Sequence, residues 1–175
     1  LCYFSLTSLD DLFRRHGLLI VDVERIPIHG GSLRVFAQRE VGAVRQESVT
    51  RMLAEEAVWV RDAAFYRAFG DKVAGLRANL LALLSQLKSE GKRIAVYGAS
   101  AKGSTLLNYF GIGSDTLAYV VDRSTVKQGK YTPGTHLLIH PPEKLLADMP
   151  EYVLLLTWNF ADEILAQQAE YRARG

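Results

Sequence analysis

The sequence predicts an α/β fold: a parallel sheet flanked by helices, preceded by a helix, a β-hairpin and a helical connector. Three observations lead there. Residues 93–97 (RIAVY) form a short apolar run, followed at once by Gly98-Ala-Ser-Ala-Lys-Gly103 and a helix start at Ser104. Residues 117–121 (LAYVV) are a second such run, closed by Asp122. Between residues 47 and 90 the apolar side chains recur at helical spacing. Strand, glycine-framed turn, helix and a strand ending in an acid describe a mononucleotide-binding βαβ unit.

Each element follows from local chemistry. Ser5 or Ser8 caps a helix over residues 9–16, with Asp10 and Asp11 favourable in its first turn and Gly17 ending it. Residues 18–28 read as a strand with Leu19, Val21 and Val23 on one face, and Pro27 marks an edge or a strand end. His29-Gly-Gly-Ser32 is a turn, and residues 33–38 alternate back. Residues 41–46 read as a linker. The helical stretch that follows is broken or bent at Asp62 and Gly70 and stopped by Gly91. Residues 123–135 are rich in Lys, Gly, Ser and Thr, with a turn at Pro133-Gly134. Residues 137–139 are a short apolar stretch, and residues 143–147 a helical turn. Residues 152–157 (YVLLLT) are the clearest strand, followed by Trp158-Asn159 and a helix over residues 161–174. This divides the chain at residues 1–40, 41–91 and 92–175.

Composition excludes several function classes. The 175 residues are 49% hydrophobic and 23% charged, a globular balance. A net charge of +2 is too near neutral for a nucleic-acid footprint. No run approaches the roughly 18 apolar residues of a membrane span. Cys2 is the only cysteine, so an intrachain disulfide and CxxC metal sites are excluded, which fits a reducing, cytoplasmic setting.

In open α/β sheets, ligands bind beyond the carboxyl ends of the strands. That rule gathers residues 98–104, Asp122-Arg123 and Trp158-Asn159 at one rim. The turn departs from G-x-G-x-x-G, because Ser100 stands at the middle glycine. It departs from the P-loop too, because Lys102 precedes Gly103 instead of following it. Ser100, Gly103 and Ser104 either offer donors to an anion at a helix amino terminus or simply cap that helix. Lys102 is a point charge for a diphosphate or an exposed turn lysine. Asp122 accepts from a ribose hydroxyl or caps its own turn. Arg123 and Lys127 add to a phosphate clamp or sit solvated in a loop. Trp158 stacks on a ring or packs; Asn159 is a ligand donor or, preferably, the cap of the next helix. His29 contacts substrate or packs at a hairpin tip. His136 and His140 lie in an extended Pro-rich segment, where an i, i+4 spacing does not align a metal pair.

Five motifs in order carry a family resemblance. YFS at residues 3–5, IPIHGGSLRVF at 26–36, VYGASAKGSTLLNYFGI at 96–112, VVDRSTVKQGKYTPGTH at 120–136 and LLLTWNFADEI at 154–164 together resemble the S-adenosylmethionine-dependent sugar C-methyltransferases. The resemblance implies a substrate that is a nucleotide-linked keto-deoxysugar, of the thymidine diphosphate type. It implies that residues 1–40 are the end of a class I methyltransferase domain, 41–91 a connector and 92–175 a truncated Rossmann-like domain that holds the nucleotide-sugar. S-adenosylmethionine and the catalytic base would then belong to sequence upstream of Leu1, and zinc to an amino-terminal domain whose cysteines have no counterpart here. Tyr3, just after the expected catalytic pair, would line the active site.

On this reading the chain, which starts at Leu1 and ends in a helix, is expected to be a piece of a longer enzyme and inactive alone. Exposed strand edges would favour a homodimer. The alternatives are a nucleotide- or coenzyme A-binding regulatory module, an NAD-dependent oxidoreductase piece disfavoured by Ser100, or a purely structural role.

Overall fold

The computed structural model describes residues 3–28 and 30–175. The chain divides into two compact units, Leu1–Lys72 and Val73–Gly175.

In the first unit, helix α1 (Leu6–Arg15) starts three residues earlier than the sequence suggested, because Ser5 is its cap: the Ser5 side chain accepts from the Ser8 N–H. Asp10 therefore falls beyond the first turn. It is buried instead, and pairs with Arg14 at 3.2 Å and with Arg45. Strands β1 (Leu18–Ile26) and β2 (Ser32–Arg39) form the antiparallel hairpin. The expected face of Leu19, Val21 and Val23 is not observed. The register slips between Ile20 and Asp22, so Val21 is an extra, bulged residue. The slip brings Ile20 and Val23 into one core with Leu6, Val49 and Met52. The Val21 carbonyl accepts from Gln46, the residue that caps helix α2 (Glu47–Ala57).

Helix α3 (Ala63–Ser89) begins after a break at which the Asp62 carboxylate accepts from the Ala64 N–H. It passes through Gly70 without interruption, so the break expected there is absent. One glycine inside a long helix costs only about 1 kcal/mol, which the neighbouring helix formers absorb. Gly91 ends α3 in a left-handed conformation, with Lys92 N–H donating back to Leu87.

The second unit is built on a four-stranded parallel sheet in the order β5-β4-β3-β6: Ile139–His140, Val120–Val121, Ile94–Tyr97 and Tyr152–Leu155. Helix α4 (Ala101–Phe110) links β3 to β4. Helix α5 (Lys144–Asp148) precedes β6. The chain then makes a 3-10 turn (Trp158–Phe160) and two helices, α6 (Ala161–Gln167) and α7 (Ala169–Arg174), where a single helix was expected. All four β3 side chains are buried, so β3 is covered on both faces. One core joins Leu84, Leu87, Ile94, Val96, Leu107 and Leu117; the other joins Ala95, Tyr97, Tyr119, Leu145 and Ile164. In chain order the four strands lie 3-2-1-4, so the order reverses between β3 and β6.

Candidate functional site

The carboxyl ends of β3, β4 and β6 carry the turn at Gly98, the acid Asp122 and Thr157. Gly98 has φ +101°, and a Cβ there would lie 2.6 Å from Thr157 Cγ2, so backbone conformation and space both demand glycine. Ser100 caps α4, accepting from Gly103 N–H at 3.0 Å. Gly103 admits Leu156 against the helix: an added Cβ would sit 3.0 Å from its side chain. The three key positions of the G-x-S-x-x-G turn are thus each explained within the fold: backbone conformation and contact with Thr157 at Gly98, helix capping at Ser100 and helix–strand packing at Gly103.

Asp122 is engaged within the fold. Its Oδ2 accepts from Ala99 N–H at 2.7 Å and from Lys127 Nζ at 3.2 Å, and its Oδ1 accepts from Ser124 N–H at 2.8 Å. Lys127 Nζ also donates to the Ala99 carbonyl at 3.0 Å. Of the two readings of Asp122, ribose acceptor or turn cap, the structure shows the cap, through Ser124 N–H, and adds bonds to Ala99 and Lys127 that tie the Gly98 turn to the loop after β4.

That loop, residues 123–138, builds a wall. Thr132 is buried at its floor, accepting from Leu137 N–H at 2.9 Å and bonded to the Thr135 hydroxyl. The Asn108 amide of α4 donates to the Ser104 and Pro133 carbonyls at 2.8 and 3.0 Å, pinning the loop to the helix. Between wall and helix lies a groove of about 1100 Å³, lined among others by Ser104, Asn108, Tyr109, Lys127, Lys130 and Tyr131. Tyr109 and Tyr131 are 66% and 63% exposed, so their ring faces are available to a ligand. The groove combines two lysines, two exposed aromatic rings and the amino-terminal end of a ten-residue helix. A phosphate matches the first and last of these, and a flat ring or sugar matches the second.

On the other side of the turn, Arg123 donates to Glu163 at 2.7 Å, and Tyr97 lies beneath them. Burial pushes the Tyr97 phenol above its ordinary pKa; Arg123 opposes the shift and Asp122 reinforces it.

The C-methyltransferase C-terminal domain family matches residues 27–175. The chain belongs to this family. It is also similar to the C-methyltransferase NovU of Streptomyces niveus, with 39% identity over 175 residues. The alignment covers 99% of this chain and 42% of NovU, so the chain spans less than half the length of that curated relative.

Within this C-methyltransferase C-terminal domain, the sequence-selected residues do not form one cluster. Ser104 and Lys127 line the groove. Ser100 and Gly103 lie at the start of α4, Lys102 is exposed in its first turn, and Asp122 lies under the turn. Trp158 and Asn159 form the exposed 3-10 turn after β6. The expected Asn159 cap is absent: Phe160 occupies the α6 cap position, with no side-chain bond. Tyr3 is exposed in the first unit, and His29 lies outside the described residues. Sequence reasoning missed Asn108, Tyr109, Lys130 and Tyr131. The signal available for them was the Lys127, Lys130, Tyr131 spacing just before Pro133-Gly134. Among the described residues, no group of three or more His, Cys, Asp or Glu side chains is disposed to hold a metal ion, and no helix is long and apolar enough to cross a membrane.

Proposed function

We propose that this chain is the substrate-holding part of an S-adenosylmethionine-dependent C-methyltransferase, and that its groove receives a nucleotide-linked keto-deoxysugar. Family membership supports methyl transfer to carbon as the reaction of the longer protein. The observation that carries the substrate class is the groove itself. Lys127 and Lys130 meet the diphosphate, and Tyr109 and Tyr131 offer faces to the sugar. Holding the sugar in one orientation removes entropy from the bimolecular step, an effect worth several orders of magnitude in rate.

The residues present do not fit S-adenosylmethionine. The glycine turn is closed by Thr157, and both Asp122 oxygens are already bonded. We assign that cofactor, the catalytic base and any zinc to other parts of the longer protein. A homodimer in a cytoplasmic setting completes the proposal.

Calorimetric titration of the intact protein with thymidine diphosphate tests it. Hydrogen bonds to charged groups contribute about 1.5–3 kcal/mol. Lys127→Ala and Lys130→Ala are therefore each expected to weaken binding about tenfold or more. Unchanged affinity in both would refute the groove as the phosphate site. Tighter binding of coenzyme A than of thymidine diphosphate would favour the regulatory-module alternative.

A further inference from the structure

Asn108 lies in the last turn of α4, where asparagine is a weaker helix former than leucine or alanine. Its use is tertiary. One side-chain atom faces two carbonyl oxygens, Ser104 at 2.8 Å and Pro133 at 3.0 Å, which fixes that atom as the donating nitrogen. The first bond braces the side chain against its own helix. The second reaches 25 residues along the chain, to the tip of the loop after β4. Gly134, the next residue, packs directly on the amide: its φ is +79°, and a Cβ there would overlap the Asn108 side chain.

The contact sits among the groups that the groove offers. Tyr109 follows Asn108 on the helix, Lys130 and Tyr131 precede Pro133 in the loop, and all of them line the groove. The loop has bonds of its own: Thr132 N–H donates to Leu137 and Ile139 N–H to Lys130, both at 2.9 Å. Those bonds keep the loop folded, but they do not set its distance from α4. The Asn108 amide spans that distance.

We propose that Asn108 is a positioning residue for the substrate. It fixes the width of the groove, and so the placing of Lys130 and Tyr131 opposite Tyr109. The inference rests on the groove reading above and deepens it.

The test is calorimetric titration of the intact protein with thymidine diphosphate glucose, with amide hydrogen exchange followed in the same samples. Asn108→Asp keeps the shape of the side chain, removes both donors and turns a carboxylate towards the Pro133 carbonyl. Exchange over residues 130–137 is expected to quicken, exchange in β3 to stay as it was, and affinity to fall about tenfold. Gly134→Ala is expected to weaken binding by displacing the loop tip, and adding Asn108→Ala to it to cause little further loss, because both substitutions break one contact. Additive losses would overturn the shared role, and this pair decides the matter should Asn108→Asp not fold. Faster loop exchange with unchanged affinity would overturn the proposal, because the width would then not matter. Weaker affinity with unchanged loop exchange would overturn it too, because Asn108 would then touch the ligand directly. Weakening by Lys127→Ala with none by Asn108→Asp would leave the groove reading standing and overturn only the positioning role. Failure of the unsubstituted protein to bind would overturn both.

Discussion

Asp10 and Glu56, buried in the unit Leu1–Lys72, have every carboxylate oxygen engaged. The buried hydroxyls of Tyr97, Tyr119 and Thr157, in the unit Val73–Gly175, meet no partner among the described residues. Glu56 shows what full engagement does. Its two oxygens accept from Leu6 and Thr7 N–H, both at 2.7 Å, and from the Thr7 hydroxyl at 2.6 Å. With Ser5 holding the Ser8 N–H, the free donors at the start of α1 are satisfied from two directions. Asp10 likewise ties α1 to Arg45 in the segment leading to α2. In that unit both buried acids are structural, although Arg45 Nε is buried there without a partner among the described residues. In the parallel-sheet unit, two of the three unengaged hydroxyls lie at the carboxyl end of the sheet, where a fold of this order binds ligands. The difference separates carboxylates bonded fully within the fold from hydroxyls whose oxygens are buried without a partner in hydrogen-bond geometry.

The comparison breaks most visibly at Glu56. Glu56→Leu would orphan three donors at one helix end, each costing about 1–3 kcal/mol when buried. A total loss of about 3–5 kcal/mol is expected in urea unfolding of the intact protein, with the slope of the transition preserved. A loss under 1 kcal/mol would mean that the acid is not structural. Gly98→Ala ranks next, at about 2–3 kcal/mol, because it adds left-handed backbone strain to an overlap with Thr157. The same substitution in a Thr157→Ala background should recover part of that loss, since the overlapping atoms are gone; no recovery would place the whole cost in the backbone.

Ser100→Ala removes the α4 cap and is expected to lower stability by about 1 kcal/mol. A larger effect on ligand affinity than on stability would instead make Ser100 a ligand donor. The smallest effect at neutral pH belongs to Tyr119. Burial holds its phenol protonated up to about 12, against an ordinary value of 10.0. The folded state keeps the proton while the unfolded chain loses it, so the stability tied to the neutral phenol is complete below pH 10 and is lost as pH rises towards 12. Alkaline unfolding, followed with phenolate absorbance, should therefore be delayed in Tyr119→Phe. An identical alkaline midpoint in both proteins would show that Tyr119 ionises normally.

Much of the second unit was legible in the chain. Apolar runs at residues 93–97, 117–121 and 152–157 mark strands because both faces of a parallel strand must be apolar. Gly98 and Ser100 mark the turn because a left-handed backbone and a side-chain cap are local requirements, whereas the need for glycine at position 103 comes from Leu156, far along the chain. The first unit was less legible. The bulge at Val21 needs only one extra residue against the partner strand, and no side chain announces it.

The division between the two sources follows sequence distance. Local chemistry by itself determined the α/β class and the turns at Gly17, Gly91 and Gly98, and narrowed the first helix cap to Ser5 or Ser8, since each depends on neighbours a few residues away. Tertiary structure alone decided that Glu56 caps a helix 50 residues earlier, that Asp122 is bonded within the fold, and that a lysine- and tyrosine-bearing loop stands over α4 as a groove wall. Those outcomes depend on which distant donors and acceptors share a desolvated space, and one-dimensional spacing carries no record of that.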